Sequence, residues 1–93
     1  MAEEKVLNLE VISPEKTVYS DKQISYVSAP SSSGIIGILP GHMPLISSLN
    51  SGDLRCFEKE GSEIHILISS GFIQVKNNNV LVLAEEAHLK EES

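Results

Sequence analysis

The sequence predicts an all-β fold, a flattened antiparallel β-sandwich or barrel of about eight to ten short strands. Short apolar runs are separated by turn-forming residues at intervals of about 8 to 12 positions, and no long stretch has the 3.6-residue period of an amphipathic helix. The apolar residues are mostly Ile, Val and Leu, and Trp is absent; this composition favours strands. With 93 residues, the chain is the size of one small domain.

The first part of the chain alternates apolar and polar residues in short runs. The first run stops at Ser13-Pro14, a pair that does not continue a strand. A turn is predicted at Ser20-Asp21, and residues 30–34, with the sequence PSSSG, are small and polar, which predicts an exposed loop. The predicted strands of this part are residues 7–12, 17–19 and 23–29.

Residues 40–44, Pro-Gly-His-Met-Pro, form a rigid segment between two aliphatic runs at residues 35–39 and 45–49. We call residues 40–44 the elbow. Its two prolines fix φ and cannot serve a central sheet ladder, whereas Gly41 supplies conformational freedom. We therefore expect the elbow at the rim of a sheet, where His42 is held in a defined place and can make contacts.

The second half of the chain contains four more predicted strands. Three consecutive asparagines at residues 77–79 predict a tight hairpin, because asparagine tolerates the left-handed conformation. Residues 85–93 are polar and compatible with a helix, but they are too few to form a stable helix alone. We therefore expect a β-sandwich domain over residues 1–87 and a short polar tail over residues 88–93. The predicted strands are residues 54–58, 63–69, 72–76 and 80–84.

The composition excludes several classes of partner. The formal net charge is -6, which argues against nucleic acid and against direct docking on anionic lipid headgroups. No run approaches the length of about 18 to 20 apolar residues that crosses a bilayer, and the start, MAEEKV, lacks the layout of a secretory signal. With one cysteine, Cys56, we expect a soluble protein in a reducing, intracellular compartment.

The residue patterns contain no recognisable catalytic, cofactor or metal site. His42, His65 and His88 have no partner at metal-ligand spacing, and their simplest interpretations are a loop residue, a solvent-facing strand position and a tail residue. Cys56 is expected to be a small buried hydrophobe. The glycines around residues 34–41 lack the Lys-Ser/Thr of a phosphate-binding loop. We therefore expect a non-catalytic protein without cofactors or metals.

Three stretches together resemble a known family. They are LNLEVISPEKTVYS, GIIGILPGHMPLISSLNSGDLR and ILISSGFIQVKNNNVLVLAEEA, and in this order they resemble the N-terminal β-sandwich domain of the ε subunit of F-type ATP synthase. The resemblance implies a non-catalytic component of the central stalk, or rotor, that binds the γ subunit and the c-ring and couples proton flow to ATP synthesis. It also implies indirect membrane association, at the cytoplasmic face of a bacterial plasma membrane or its organellar equivalent. We expect the isolated chain to be a monomer.

The resemblance also implies two contact regions. Ser13 and the elbow histidine, His42, match positions that lie against γ, and we extend this contact to Gly41, Met43 and Pro44. The loop before the elbow matches the segment that reaches the polar loops of the c-ring, which assigns that contact to Ser31, Ser32, Ser33, Gly34 and Ile35.

This sequence departs from the family pattern in two respects. The family often has an acidic residue where Ile35 stands, and the loop at residues 30–34 is slightly longer than usual, so we expect a less ionic contact with the ring. The sequence also ends before the C-terminal helical hairpin of many members. If the chain is naturally this short, the self-inhibition attributed to that hairpin should be absent.

Two alternatives remain open at this point. The segment SDKQISYVSAPSSSGIIG resembles the swinging-arm region of lipoyl carrier domains, in which a lysine in a tight turn is modified; here that residue is Lys22. This resemblance leaves the elbow and everything after Gly52 unexplained. The other alternative is a generic β-sandwich binding module, in which the elbow is a strand crossover and His42 caps a turn.

Overall fold

A computed structural model describes residues 5–90, and within that range the protein consists of nine strands and no helix. Residues 5–90 therefore contain no helix that is long and apolar enough to cross a membrane. Residues 1–4 of the predicted domain and residues 91–93 of the predicted tail lie outside the described range. The strands are β1 (Leu7–Ile12), β2 (Thr17–Ser31), β3 (Gly34–Ile38), β4 (Leu45–Leu49), β5 (Gly52–Glu58), β6 (Glu63–Ile68), β7 (Gly71–Lys76), β8 (Asn79–Ala84) and β9 (Ala87–Lys90).

The strands form one continuous sheet that folds over a single core. The order is β1-β8-β7-β4-β2-β5-β6-β9, β3 pairs with β2, and β1 also pairs with β2. The described part measures 41 × 32 × 23 Å, so the predicted flattened all-β fold is confirmed. One pair differs from the antiparallel prediction. β1 and β8 are parallel, which is possible because they are not joined by a hairpin.

The long strand β2 corrects the predicted turn at Ser20-Asp21. The chain continues through these residues as one strand, with irregular register opposite β1 near Asp21 and opposite β5 after Ile24. Such bulges bend a strand without ending it. The carboxylate of Asp21 accepts a hydrogen bond from the backbone N–H of Gln23 at 2.8 Å. The Asp21 side chain therefore stabilises the bend within β2, and no hairpin begins here.

The predicted exposed loop at residues 30–34 is also shorter than expected. Ser31 is the last residue of β2, its exposed fraction is 3%, and its backbone pairs with Gly34 and Leu49. Its hydroxyl donates to the Gly34 carbonyl. Because the hydroxyl has a partner, this serine can be buried, and the turn itself consists of Ser32 and Ser33.

Strand β9 corrects the interpretation of the C-terminal segment as a short polar piece with helical preference. Residues 87–90 pair antiparallel with β6, and the predicted domain boundary at residue 87 falls on the first residue of this strand. The edge of β6 offers unpaired backbone groups that an extended segment can satisfy. Tertiary pairing therefore decides the conformation here, and local propensity does not.

The core is aliphatic, as the composition predicts. Cys56 is fully buried within it, and burial raises the pKa of its thiol to about 12 because the charged thiolate is poorly solvated there. The core residues with the largest fully buried side chains include Leu7, Leu9, Ile24, Ile38, Leu54, Ile66 and Ile73.

Candidate protein interface

The elbow connects the end of β3 with the start of β4, outside the sheet ladders. Gly41 has φ of +87°, and no neighbouring atom lies within 4 Å of the position its Cβ would occupy. Glycine is therefore required here by the backbone angle and not by lack of space. The Gly41 N–H donates to the side-chain oxygen Oδ1 of Asn78 at 2.7 Å, and the His42 N–H donates to the Leu39 carbonyl at 3.0 Å.

The half-buried ring of His42 has a defined hydrogen-bonding arrangement. Its Nδ1 lies 2.7 Å from the carbonyl oxygen of Met43. Because a carbonyl only accepts, Nδ1 carries the proton, and in the neutral ring Nε2 is then an acceptor. Nε2 has no hydrogen-bond partner among residues 5–90 and can accept one from another protein. The next side chain, Met43, is 76% exposed.

The outer side of the β1-β8-β7-β4 layer carries large apolar side chains. Ile46 is 74%, Phe72 59% and Leu83 46% exposed, whereas the alternate residues of these strands point into the core. Phe72 pairs with Leu83 across β7 and β8, and Leu83 pairs with Ile12 of β1. We call this surface the apolar face. Its residues are Ile12, Ile46, Phe72, Leu81 and Leu83.

A groove of about 500 Å³ borders the apolar face at one end and includes Ser13. Ile12, Pro14, Leu49 and Phe72 also line it. The Ser13 backbone N–H and its hydroxyl both donate to the Lys16 carbonyl, at 2.9 Å and 3.3 Å, so the residue holds the turn after β1. Sequence reasoning singled out Ser13 but missed the apolar groove beside it.

Ser13 and the elbow do not form one cluster. Strand pairing puts Ser13 beyond Ile12, which pairs with Leu83 near the end of β8, whereas the elbow is bonded to Asn78 at the opposite end of that strand. The residues predicted to contact γ therefore lie at two ends of one sheet layer, and the outward surface between them consists of the apolar face together with Glu10, Gln74 and Lys76. Alternation in β4, β7 and β8 predicts which side chains point outward, but Ile46, Phe72 and Leu83 were not selected from it.

The residues predicted to contact the ring lie at the turn between β2 and β3. Ser31 does not present its side chain because it is buried, but Ser32, Ser33 and Gly34 are exposed, and Ile35 is 77% exposed. The turn is fixed to β4 by two hydrogen bonds: the Ser32 N–H donates to the Ser48 carbonyl at 3.1 Å, and the Ser48 hydroxyl donates to Ser32 Oγ at 2.9 Å. No Asp, Glu, Lys or Arg occurs in residues 23–52, so the turn itself carries no charged side chain.

Lys22 does not have the setting of a lipoyl carrier lysine. That setting requires a tight turn that projects the lysine, but Lys22 lies inside β2, between residues paired with β1. The structural basis for the carrier interpretation is therefore missing.

The outer side of β5, β6 and β9 differs from the apolar face. His65 Nδ1 lies 2.8 Å from Asp53 Oδ2, and His65 Nε2 lies 2.9 Å from Glu63 Oε2. Arg55 is paired with the same Glu63 at 3.0 Å. Lys90 is the cross-strand neighbour of His65. We call Asp53, Arg55, Glu63, His65 and Lys90 the charged face.

His65 was predicted to be a solvent-facing strand position, and it does lie on the outer side of β6. Its ring is enclosed by the carboxylates of Asp53 and Glu63, however, so its two nitrogens are engaged within the protein. Across residues 5–90, no group of three or more His, Cys, Asp or Glu side chains is arranged to hold a metal ion.

The chain matches a protein-family model and is similar in sequence to several named bacterial proteins. The model of the family described as "ATP synthase, Delta/Epsilon chain, beta-sandwich domain" matches residues 6–90. A protein of Lawsonia intracellularis named ATP synthase epsilon chain is 44% identical over 84 residues, which are 90% of this chain and 62% of that protein. A protein of the same name from Nitratidesulfovibrio vulgaris (strain DSM 19637 / Miyazaki F) is 46% identical over 90 residues, 96% of this chain and 65% of that protein. The chain thus spans less than two thirds of the length of these relatives.

Two solved structures have the same fold. A chain in the cryo-EM structure of Euglena gracilis mitochondrial ATP synthase (OSCP/F1/c-ring) superposes with a TM-score of 0.84 at 21% identity, over 91% of this chain and 53% of that chain. A chain in the central stalk/c-ring structure of the Tetrahymena thermophila mitochondrial enzyme gives a TM-score of 0.76 at 15% identity, over 92% of this chain and 68% of that chain. At these identities the likeness establishes the architecture.

Proposed function

Because the chain belongs to the family of β-sandwich domains of ATP synthase delta and epsilon chains, we propose that it is a non-catalytic rotor subunit of a proton-translocating F-type ATP synthase. In this role it binds the γ subunit and the c-ring in the central stalk and helps to couple proton flow to ATP synthesis. The observation that carries the proposal beyond family membership is the apolar face, which exposes Ile46, Phe72 and Leu83 to water on an otherwise acidic protein.

The apolar face is the proposed γ-binding surface. Large neighbouring apolar side chains on one layer are typical of a protein interface, and covering them removes apolar surface from water. The elbow and Ser13 border this surface at its two ends, so the γ contact includes Ser13, Gly41, His42, Met43 and Pro44. The free Nε2 of His42 supplies a directional hydrogen bond at the rim of the interface.

The proposed c-ring contact is the uncharged turn formed by Ser32, Ser33, Gly34 and Ile35. Ser31 supports this turn from within because its hydroxyl bonds to Gly34. An uncharged turn lets an acidic protein approach the membrane through protein loops rather than through anionic lipid. The proposed location is therefore peripheral, at the cytoplasmic face of a bacterial plasma membrane or the equivalent organellar face.

Calorimetric titration of the chain with purified γ tests the γ contact. The wild-type chain should bind, and Ile46→Lys on the apolar face should weaken binding by about 30-fold or more, as for a hot-spot residue. Leu67→Lys is the control, because Leu67 is also a large, half-exposed aliphatic side chain but lies on β6. Absence of wild-type binding at micromolar concentration, or equal losses in the two variants, would falsify the proposed γ surface.

Association of the chain–γ complex with purified c-ring tests the second contact. Because the turn carries no charge, binding should change little between about 0.05 and 0.5 M salt, a range over which ionic contacts are strongly screened. Ile35→Lys should weaken ring binding and leave γ binding unchanged. A steep loss of wild-type ring binding with salt contradicts the uncharged contact.

A further inference from the structure

The tip of the β7–β8 hairpin contains two asparagines in the left-handed conformation. Asn77 has φ of 52° and Asn78 has φ of 63°. Glycine or asparagine satisfies such positions on backbone grounds alone, so the turn does not require a particular side chain at either one. The two side chains nevertheless differ in their contacts, since only that of Asn78 reaches another segment.

The side chain of Asn78 joins the hairpin to the elbow. Its Oδ1 accepts the Gly41 N–H at 2.7 Å, across 37 positions of sequence. Its backbone carbonyl accepts the Asn8 N–H at 2.8 Å, so the residue is also fixed to β1. Asn77 is exposed, and among residues 5–90 its side chain makes no hydrogen bond.

Within the elbow, one backbone hydrogen bond, from the His42 N–H to the Leu39 carbonyl at 3.0 Å, closes the turn that contains Gly41, but side-chain packing around Gly41 is sparse. Apart from residues 40–42 themselves, no atom of the described chain lies within 4 Å of the Cβ position of Gly41, and the nearby Leu39 and Met43 are mostly exposed. A glycine without side-chain packing samples both signs of φ readily. The hydrogen bond from Asn78 therefore adds to the Leu39–His42 turn bond: it ties the turn to the β7–β8 hairpin and helps to hold the conformation in which His42 and Met43 take their observed places.

We propose that Asn78 is the positioning residue of the elbow: its side-chain amide holds Gly41 at positive φ and so presents His42 and Met43 to the partner protein. The part of this inference that concerns the partner rests on the proposed binding of γ. A binding segment that is ordered in advance loses less conformational entropy on association. The residue thus acts through the elbow and does not need to touch γ.

Three variants separate this role from a merely structural one. Asn78→Gly keeps the tolerance for positive φ and removes the acceptor, Asn78→Asp keeps an acceptor oxygen, and Asn77→Gly is the matched control at the neighbouring left-handed position. For each chain, NMR measures the exchange of the Gly41 amide hydrogen in the free protein, and calorimetry measures the dissociation constant for γ.

In Asn78→Gly, we expect Gly41 amide exchange to accelerate and the affinity for γ to fall, each by about three- to tenfold, as for loss of one hydrogen bond. Asn77→Gly should change neither quantity, and Asn78→Asp should restore both. The chemical shifts of the core strands should be unchanged in all three variants.

Unchanged Gly41 exchange in Asn78→Gly overturns the inference, as does equal acceleration in Asn77→Gly. Accelerated exchange with unchanged γ affinity also overturns it, because the elbow would then be loosened without consequence for binding. If wild-type protein does not bind γ at all, the proposed function fails, and the exchange rates still decide separately whether Asn78 holds the elbow.

Discussion

The two outer faces of this sandwich cover the same core but differ in the side chains that they group together. On the charged face, His65 lies between Asp53 and Glu63, and Arg55 completes the set. On the apolar face, Phe72 and Leu83 pair across two strands and remain largely exposed. The charged face pairs most of its charged groups with one another, although Asp53 Oδ1 has no hydrogen-bond partner among the described residues, whereas the apolar face leaves large hydrophobic side chains exposed.

The proposed function assigns γ binding to the apolar face because of this difference. Both faces follow the same alternation of inward and outward residues along each strand, so the fold does not distinguish them. The choice of outward side chains does. We expect substitutions on the charged face to have little effect on γ binding. Substitutions on the apolar face should weaken it.

Gly71→Val should produce the largest effect, because it tests the strand pairing on which the apolar face depends. A Cβ at residue 71 would lie 2.0 Å from the Leu83 carbonyl oxygen, so β7 and β8 could not keep their spacing. We expect a loss of about 3 kcal/mol or more in the free energy of unfolding, measured by urea denaturation. Gly61→Ala, in an exposed turn, should cost less, and equal losses would contradict the account.

Phe72→Ser should separate binding from folding. The side chain is mostly exposed, so the free energy of unfolding should change by no more than about 0.5 kcal/mol. Binding of γ should nevertheless weaken by about 30-fold or more. Thermal unfolding and calorimetric titration of the same preparation measure the two effects, and intact γ affinity in this variant would count against the apolar face as the interface.

Glu63→Gln should give the converse result on the charged face. It removes one carboxylate from His65 and the ion-pair partner of Arg55, but these groups are partly solvated, so stability should fall by about 1 kcal/mol or less. The affinity for γ should be unchanged. A marked loss of γ binding in this variant would mean that γ binds the charged face and not the apolar face.

The smallest effect concerns Cys56, which lies in β5 beneath the charged face. Since burial raises its pKa from 9.0 to about 12, the folded thiol should not react with iodoacetamide at about pH 8, whereas the unfolded thiol should. The sign of the linkage follows from the raised pKa: this contribution to stability is fully present below about pH 9 and is lost as the pH rises toward 12. Rapid labelling of native protein would contradict the burial.

Features that depend on local patterns were predictable from the sequence. Alternation located most of the strands, including Ile66 and Ile68 on the inward side of β6, and the asparagine run predicted the left-handed hairpin that Asn77 and Asn78 form. The prolines and the glycine of the elbow predicted a segment outside the ladders, and Gly41 indeed has positive φ.

Features that depend on distant partners were not predictable in this way. The polar residues around Asp21 read as a turn, yet pairing with β1 and β5 keeps β2 continuous. β9 forms because β6 has a free edge, which no property of residues 87–90 reveals. The bond from Asn78 to Gly41 spans 37 positions, and alternation shows which residues point outward without showing which outer face stays uncovered.

Hydroxyl-radical footprinting of the chain, with and without purified γ, tests the central claim most directly because it reports the solvent access of individual side chains. We predict that γ protects Met43 and Phe72 from oxidation and leaves Leu67 and His88 as reactive as in the free chain. Protection of Leu67 and His88 with continued oxidation of Phe72 would contradict the assignment of the apolar face as the γ-binding surface.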